Sequence, residues 1–344
     1  MENEEIRRIQ ITGKSTYILS LPKKWVSEMG LKAGSQIVIL QEGKSLILIP
    51  KDLAKPSNAS REATLKISAN DMPEKIARAI IATYLNGYNS IRIETLSDHI
   101  APSQRNAVRE LVKKKIVGTE IISDSPREMI LKVLVGYPEL SVESALRRMC
   151  LIASSMHEDL IKALIKLDKE LAKNIIDLDD EVDRFGFYII RQLKAAVQSD
   201  RILKDIGLSN PKDCLGYRLV VKFVERIADH AARIAENILS LSESPDKFIL
   251  DKISEMSSFA RSMFESSVES LFKRDYLLAE ETISRAKKIA LMEAEAIKAI
   301  TEKAGKTISP ALRMILESIR RTGEYSSDIA EIVLNLNVNQ ILAM

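Results

Sequence analysis

The sequence predicts a multi-domain, mostly α protein: a small N-terminal β module, a small middle α/β domain and a C-terminal tandem pair of three-helix bundles. Three observations carry this. Short strand-like runs broken by turn residues fill the first fifty positions, strands and helices alternate to about residue 136, and a helical period then continues to the end. The boundaries expected are 1–54 for the β module, 62–136 for the α/β domain, 137–243 for the first bundle and 244–344 for the second.

In the N-terminal module the runs are Ile6 to Thr12, Thr16 to Leu21, Ser35 to Leu40 and Ser45 to Ile49. Gly13 and Gly43 mark hairpin turns, and a short helix begins at Pro22 and ends before Gly30. Some fifty residues of β structure with one Trp bury too little to stand alone, so this part is expected to form a homodimer.

Lys55 to Ser60 reads as a linker. The middle domain then runs as strand 63–68, helix 71–85, strand 90–94, helix 103–115, strand 119–123 and strand 128–135. It contains no Gly-rich phosphate loop, metal triad or nucleophile pattern. The basic run Lys113 to Lys115 closes a helix, where cations suit the dipole, and is given no binding role.

From Glu139 the pattern is helical, with breaks near 200–211, 242–246 and 305–310, which yields three long helices per half. Val220, Val224, Ile227, Ala231, Ile234 and Ile238 form one apolar stripe. Glu225 and Asp229 stack four residues apart on a ladder that points away from that stripe. An earlier helix pairs a stripe of Leu178, Val182, Phe185, Ile189 and Leu193 with a ladder of Asp179 and Asp183. A short connection favours antiparallel packing, which brings the two ladders face to face across a surface groove.

Four converging carboxylates make an oxygen-only donor set, suited to divalent or trivalent metal ions such as iron, Mg²⁺, Mn²⁺ or Ca²⁺ rather than zinc. The alternative is a solvated face neutralised by Arg184, Arg226 and Arg233. His230 sits one step around the helix and is not counted as a ligand.

The second half ends in Arg320 to Glu331, which aligns with Glu225 to Glu236. There Arg320 replaces Glu225, and the partner helix offers only Glu293 and Glu295 where Asp179 and Asp183 belong. An arginine repels a cation and is free to pair with Glu324. A metal cluster is therefore expected in the first bundle and a weakened or absent one in the second.

Two resemblances add to this reading. The run Glu225-Arg-Ile-Ala-Asp229-His-Ala, then Ile234-Ala-Glu236, preceded by Asp179-Asp-Glu-Val-Asp183, resembles the paired acidic signatures of the PhoU family of phosphate-uptake regulators. The resemblance covers about residues 140 to 344. It implies two three-helix bundles in tandem, with Asp179, Asp183, Glu225 and Asp229 as ligands of a surface metal cluster. Gly13-Lys-Ser-Thr-Tyr-Ile-Leu-Ser-Leu-Pro-Lys-Lys-Trp25, with Gly30-Leu-Lys-Ala-Gly34-Ser and Leu46-Ile-Leu-Ile-Pro50, resembles the AbrB-like swapped-hairpin DNA-binding domains. That implies a dimer whose DNA-facing residues are Arg7, Arg8, Lys14, Lys23 and Lys24, contacting mainly phosphate.

Charge placement agrees with the second resemblance. The chain carries net +3, and residues 1–55 hold nine Lys or Arg against six Asp or Glu, so the whole excess lies there. The start has no apolar leader and no apolar run reaches membrane-spanning length, so a cytoplasmic protein without membrane insertion is expected. Two cysteines outside any C-x-x-C pair imply no disulfide framework.

The function expected is a non-enzymatic, DNA-binding, dimeric regulator of phosphate transport whose helical body binds metal. A dimeric scaffold that docks on a phosphate transporter or kinase without binding DNA is the alternative. A di-iron carboxylate enzyme is disfavoured because that chemistry needs inward-facing E-x-x-H pairs, and none occurs.

Overall fold

The computed structural model describes residues 5–13, 15–42, 45–52, 61–135, 140–304 and 308–342. The chain divides into two compact units, residues 1–60 and 61–344.

In the first unit β1 (Gln10–Thr12) pairs with β2 (Thr16–Ile18), α1 (Lys23–Glu28) follows, and β3 (Ile37–Glu42) pairs with β4 (Ser45–Pro50). Gly13 holds φ +64 in the first turn, a left-handed conformation that glycine adopts without strain. The linker 55–60 and the Gly43 turn lie outside the described residues. Ile6 to Ile9, expected to extend the first strand, have no strand partner in this unit and remain outside it. The unit has almost no interior: among its described residues only Pro50 is buried. Ile11 (66% exposed), Tyr17 (72%), Ile39 (61%) and Leu46 (65%) face solvent from the strands.

The second unit begins with β5 (Glu62–Ile67), α2 (Pro73–Leu85), β6 (Ser90–Thr95), α3 (Pro102–Lys114), β7 (Thr119–Asp124) and β8 (Glu128–Val133). The sheet order is β5-β6-β8-β7; β5 and β6 are parallel across α2, and the other pairs are antiparallel. Ile67, Ile91, Ile93, Met129 and Leu131 form the inner face of the sheet, with Ile76, Ile80 and Val108 from the helices. Helices α2 and α3 pack on each other and both touch the helical body.

That body comprises α4 (Val142–Lys166), α5 (Lys169–Ala196), α6 (Asp200–Asp205), α7 (Asp213–Ser240), α8 (Lys247–Lys273), α9 (Tyr276–Ser284), α10 (Ala286–Ala304), α11 (Pro310–Leu336) and α12 (Asn339–Leu342). Helices α4, α5 and α7 make the first bundle; α8, the α9–α10 pair and α11 make the second. The expected middle helix of the second half is thus broken at Arg285, where no Pro or Gly announces a stop.

The repeat shows in the caps as well as in the helix count. Leu167 (φ 51) and Arg274 (φ 54) both end the first helix of a bundle in the left-handed region. In each case the next residue, Asp168 or Asp275, accepts hydrogen bonds from the first backbone N–H groups of the following helix. The predicted α7 stripe is buried throughout, as are Val182, Ile189 and Leu193 of α5, in a core continuous across both bundles. His157 of α4 lies in that core, with its Nε2 3.3 Å from the Ile227 carbonyl and 3.3 Å from Thr322 Oγ1, where the bundles meet.

Candidate metal centre and nucleic-acid face

Helices α5 and α7 run antiparallel: Gly186, where an added Cβ would lie 3.6 Å from Val221 Cγ1, meets the start of α7, while Asp179, earlier on α5, feels the charge of Asp229, later on α7. Asp183 then falls level with Glu225, and Asp179 with Asp229. Burial, with the charges of Asp183 and Asp229 acting in the same direction, raises the carboxyl pKa of Asp179 to about 7. Asp229 is shifted upward by burial and by Asp183. Burial also raises Glu225, helped by Asp183 and Asp229 and opposed by Lys222. The four predicted carboxylates therefore share one electrostatic neighbourhood.

Two features differ from the sequence reading. The ladder is only partly open to solvent: Asp179, Asp183 and Glu225 are half-buried, with the end of α3 against α5, while Asp229 is exposed. Nor do Arg184, Arg226 and Arg233 make an ion pair with it among the described residues, although the charge of Arg233 works to lower the Asp229 pKa. Lys222 pairs with Glu225, and Lys115 from the middle domain lies 2.9 Å from Asp183 Oδ2 and 3.1 Å from Asp180 Oδ1. Lys114 stands 3.7 Å from Asp180 Oδ2. Burial works to lower the Lys115 ammonium pKa, but its hydrogen bonds and charge interactions with Asp183 and Asp180 more than offset that and raise it. The lysine run judged to serve only the helix dipole thus meets acids 68 residues away. Basic residues at a helix end carry no local sign of so distant a partner.

The donor chemistry fits a hard cation. All four groups offer oxygen, and Asp179 Oδ1 is sealed from solvent without a hydrogen-bond partner. Among the described residues no three such side chains are gathered closely enough to hold an ion as they stand, and two of the four are paired with lysines.

The second bundle resolves its acids internally. Arg320 Nε lies 2.7 Å from Glu293 Oε2, Arg320 also pairs with Glu324, and Arg321 Nη1 lies 3.0 Å from Glu324 Oε2. The guanidinium, at the repeat position of Glu225, thus bridges Glu293 and Glu324. His230 turns from the acids toward the second bundle, its ring 5.7 Å from that of Tyr325.

In the N-terminal unit Arg7, Arg8, Lys23 and Lys24 are exposed, the lysines opening α1. Arg7 pairs with Glu5, and Lys24 stands 4.0 Å from Glu28. Lys14 lies outside the described residues. No helix among the described residues is long and apolar enough to cross a membrane.

Comparison with known proteins places names on both units. The PhoU domain matches residues 146–238 and 253–333, and the family described as antidote-toxin recognition MazE, bacterial antitoxin, matches residues 10–55. The N-terminal unit is thus a MazE/AbrB-like antitoxin domain. A phosphate-specific transport system accessory protein PhoU homolog of Aquifex aeolicus is 31% identical over 129 residues, 36% of this chain and 54% of the relative. The chain thus spans about half the length of that relative. The homolog from Pseudomonas aeruginosa is 25% identical over 213 residues, 57% of this chain and 81% of its own. Among solved structures, PhoU from Pseudomonas aeruginosa superposes with a TM-score of 0.50 at 22% identity, covering 57% of this chain and 94% of that one. The phosphate transport system regulatory protein PhoU from Streptococcus pneumoniae gives 0.50 at 20% identity, covering 58% and 94%. These two structures share the fold of the helical body. With two PhoU repeats covering half its length on the helices that carry both acidic ladders, the chain belongs to the PhoU family.

Proposed function

We propose that this protein is a dimeric, DNA-binding regulator of phosphate transport whose first helical bundle binds hard metal ions. The observation that carries the metal half is the convergence of Asp179, Asp183, Glu225 and Asp229, with the sealed, unpartnered Asp179 Oδ1 among them. These four side chains would hold the ion. Once bound, it places positive charge on a surface otherwise held by carboxylates, giving the body two electrostatic states for a partner to distinguish. The printed names of the relatives support phosphate transport as the process regulated. The accessory-protein names of the relatives support a regulatory or accessory role rather than an enzymatic one.

The dimer and DNA reading rests on the N-terminal unit. Its open strands carry exposed apolar side chains with no core of their own, which a second copy interleaving its hairpins would bury. Pairing two copies would double the set of exposed cations at Arg7, Arg8, Lys23 and Lys24. Titrating genomic DNA fragments at several salt concentrations tests this, because each phosphate contact contributes a slope of about −0.9 to log affinity against log salt. Steep salt dependence in the native chain, lost in Lys23→Glu with Lys24→Glu, supports the regulator. Absent or salt-independent binding supports the second reading, a scaffold that docks on a transport component and uses the β unit only to dimerise.

A further inference from the structure

We propose that Lys115 is a built-in counter-ion that latches the middle domain onto the carboxylate cluster and must withdraw before a metal ion enters. The proposal rests on the reading that the cluster binds cations. The residues themselves are on two different parts of the fold. Lys115 follows the last turn of α3, in a domain that lies outside both PhoU repeats. Its ammonium sits between Asp180 and Asp183 of α5, at 3.1 and 2.9 Å. Asp183 is one of the four carboxylates a metal would use, and an ammonium and a metal ion repel each other across one carboxylate.

The middle domain holds α5 at a second place of different character. Arg191, 4% exposed, donates to the carbonyls of Tyr84 and Tyr88 and to Asn89 Oδ1, the last two at 3.0 and 2.5 Å. Lys194 adds a hydrogen bond of 2.7 Å to Asn86 Oδ1. Arg191 lies two helical turns beyond Asp183, about 12 Å along the axis. The acceptors in these hydrogen bonds are carbonyl and amide oxygens, not the carboxylates a metal ion would take from the ladder. The domain therefore has a fixed clasp at the end of α2 and an ion-sensitive one at the end of α3. Loading the cluster would release the second and leave the first as a pivot. Lys222, by contrast, belongs to α7 itself, and its displacement from Glu225 moves no domain.

The test uses the full chain and Mn²⁺ alone, with affinity read by titration calorimetry and backbone mobility by amide hydrogen exchange. A half-exposed ion pair is worth up to about 1 kcal/mol, so Lys115→Met, which keeps the aliphatic stem, should tighten Mn²⁺ binding by roughly three- to fivefold. Lys114→Met should leave it within about twofold. In the native chain Mn²⁺ should speed exchange over residues 102–118 and leave residues 82–89 unchanged. The exchange measurement needs no variant, so it decides the matter even where a substitution disturbs folding. Mn²⁺ binding with unaltered affinity in Lys115→Met, or with no change in exchange over residues 102–118, overturns the latch while the metal reading stands. No Mn²⁺ uptake by either protein removes the metal reading, and the latch with it.

Discussion

Lys115 Nζ lies 2.9 Å from Asp183 Oδ2, joining the last turn of a middle-domain helix to the acidic ladder of the first bundle. This contact sets a cation beside the half-buried α5 acids. Burial together with mutual repulsion raises the pKa of Asp179 and Asp229, and the charge of Lys115 opposes both shifts.

The first prediction concerns pH. In the metal-free protein the folded-state pKa of Asp179 is about 7, above its ordinary 3.8. A group raised on folding stabilises fully below its unfolded value, and that stability is lost as pH climbs through the folded value. The native chain should therefore lose stability between about pH 4 and pH 7, and Asp179→Asn should lose less. The difference at pH 8 should be on the order of 1 kcal/mol, because solvent still reaches part of the carboxyl. Urea denaturation at pH 5 and pH 8, in the presence of chelator, measures it.

A second prediction addresses the fixed clasp. Arg191→Ala removes a buried guanidinium and its hydrogen bonds to the Tyr84 and Tyr88 carbonyls and to Asn89, at a cost of about 2–4 kcal/mol. Limited proteolysis should then cut between the middle domain and α4 faster than in the native chain, while the helical content measured by circular dichroism stays close to native.

The third prediction rebuilds the missing half of the repeat. Arg320→Glu removes the cation from between Glu293 and Glu324 and restores the acidic residue found at Glu225. The variant should bind more Mn²⁺ per chain than the native protein and should be less stable in chelator, by about 1–2 kcal/mol. Metal analysis after gel filtration checks the first, and denaturation with chelator checks the second.

The fourth prediction concerns the seam between the bundles. Burial lowers the His157 pKa to about 4, below its ordinary 6.5. A group depressed on folding contributes stability above its unfolded value and loses it as pH falls through the folded value. Stability should thus drop from about pH 6.5 toward pH 4. His157→Gln should flatten part of that drop, leaving the part due to His230, which burial also lowers to about 4. Thermal denaturation across that range, for the native chain and the variant, reads the difference.

Much of this architecture is legible in the residues because the relevant patterns are local. The α7 stripe from Val220 to Ile238 follows the helical period and is buried without exception. The ladders at Asp179 and Asp183, and at Glu225 and Asp229, follow from i, i+4 stacking, and Arg320 opposite Glu324 follows from aligning the two repeats. What escaped is non-local or unsignalled. Lys115 reads as a dipole-satisfying helix end because nothing near it in sequence names Asp183. Arg285 breaks a helix without Pro or Gly. Ile6 to Ile9 have strand-like composition, but a strand needs a partner, and none of the strands in this unit provides one.

The most direct measurement is Mn²⁺ binding to the full-length chain, comparing Asp229→Ala with Glu324→Ala. Binding abolished or weakened at least about tenfold by Asp229→Ala, and left intact by Glu324→Ala, is the result predicted for a cation site confined to the first bundle. Equal loss in both variants, or no binding by the native chain, would contradict it.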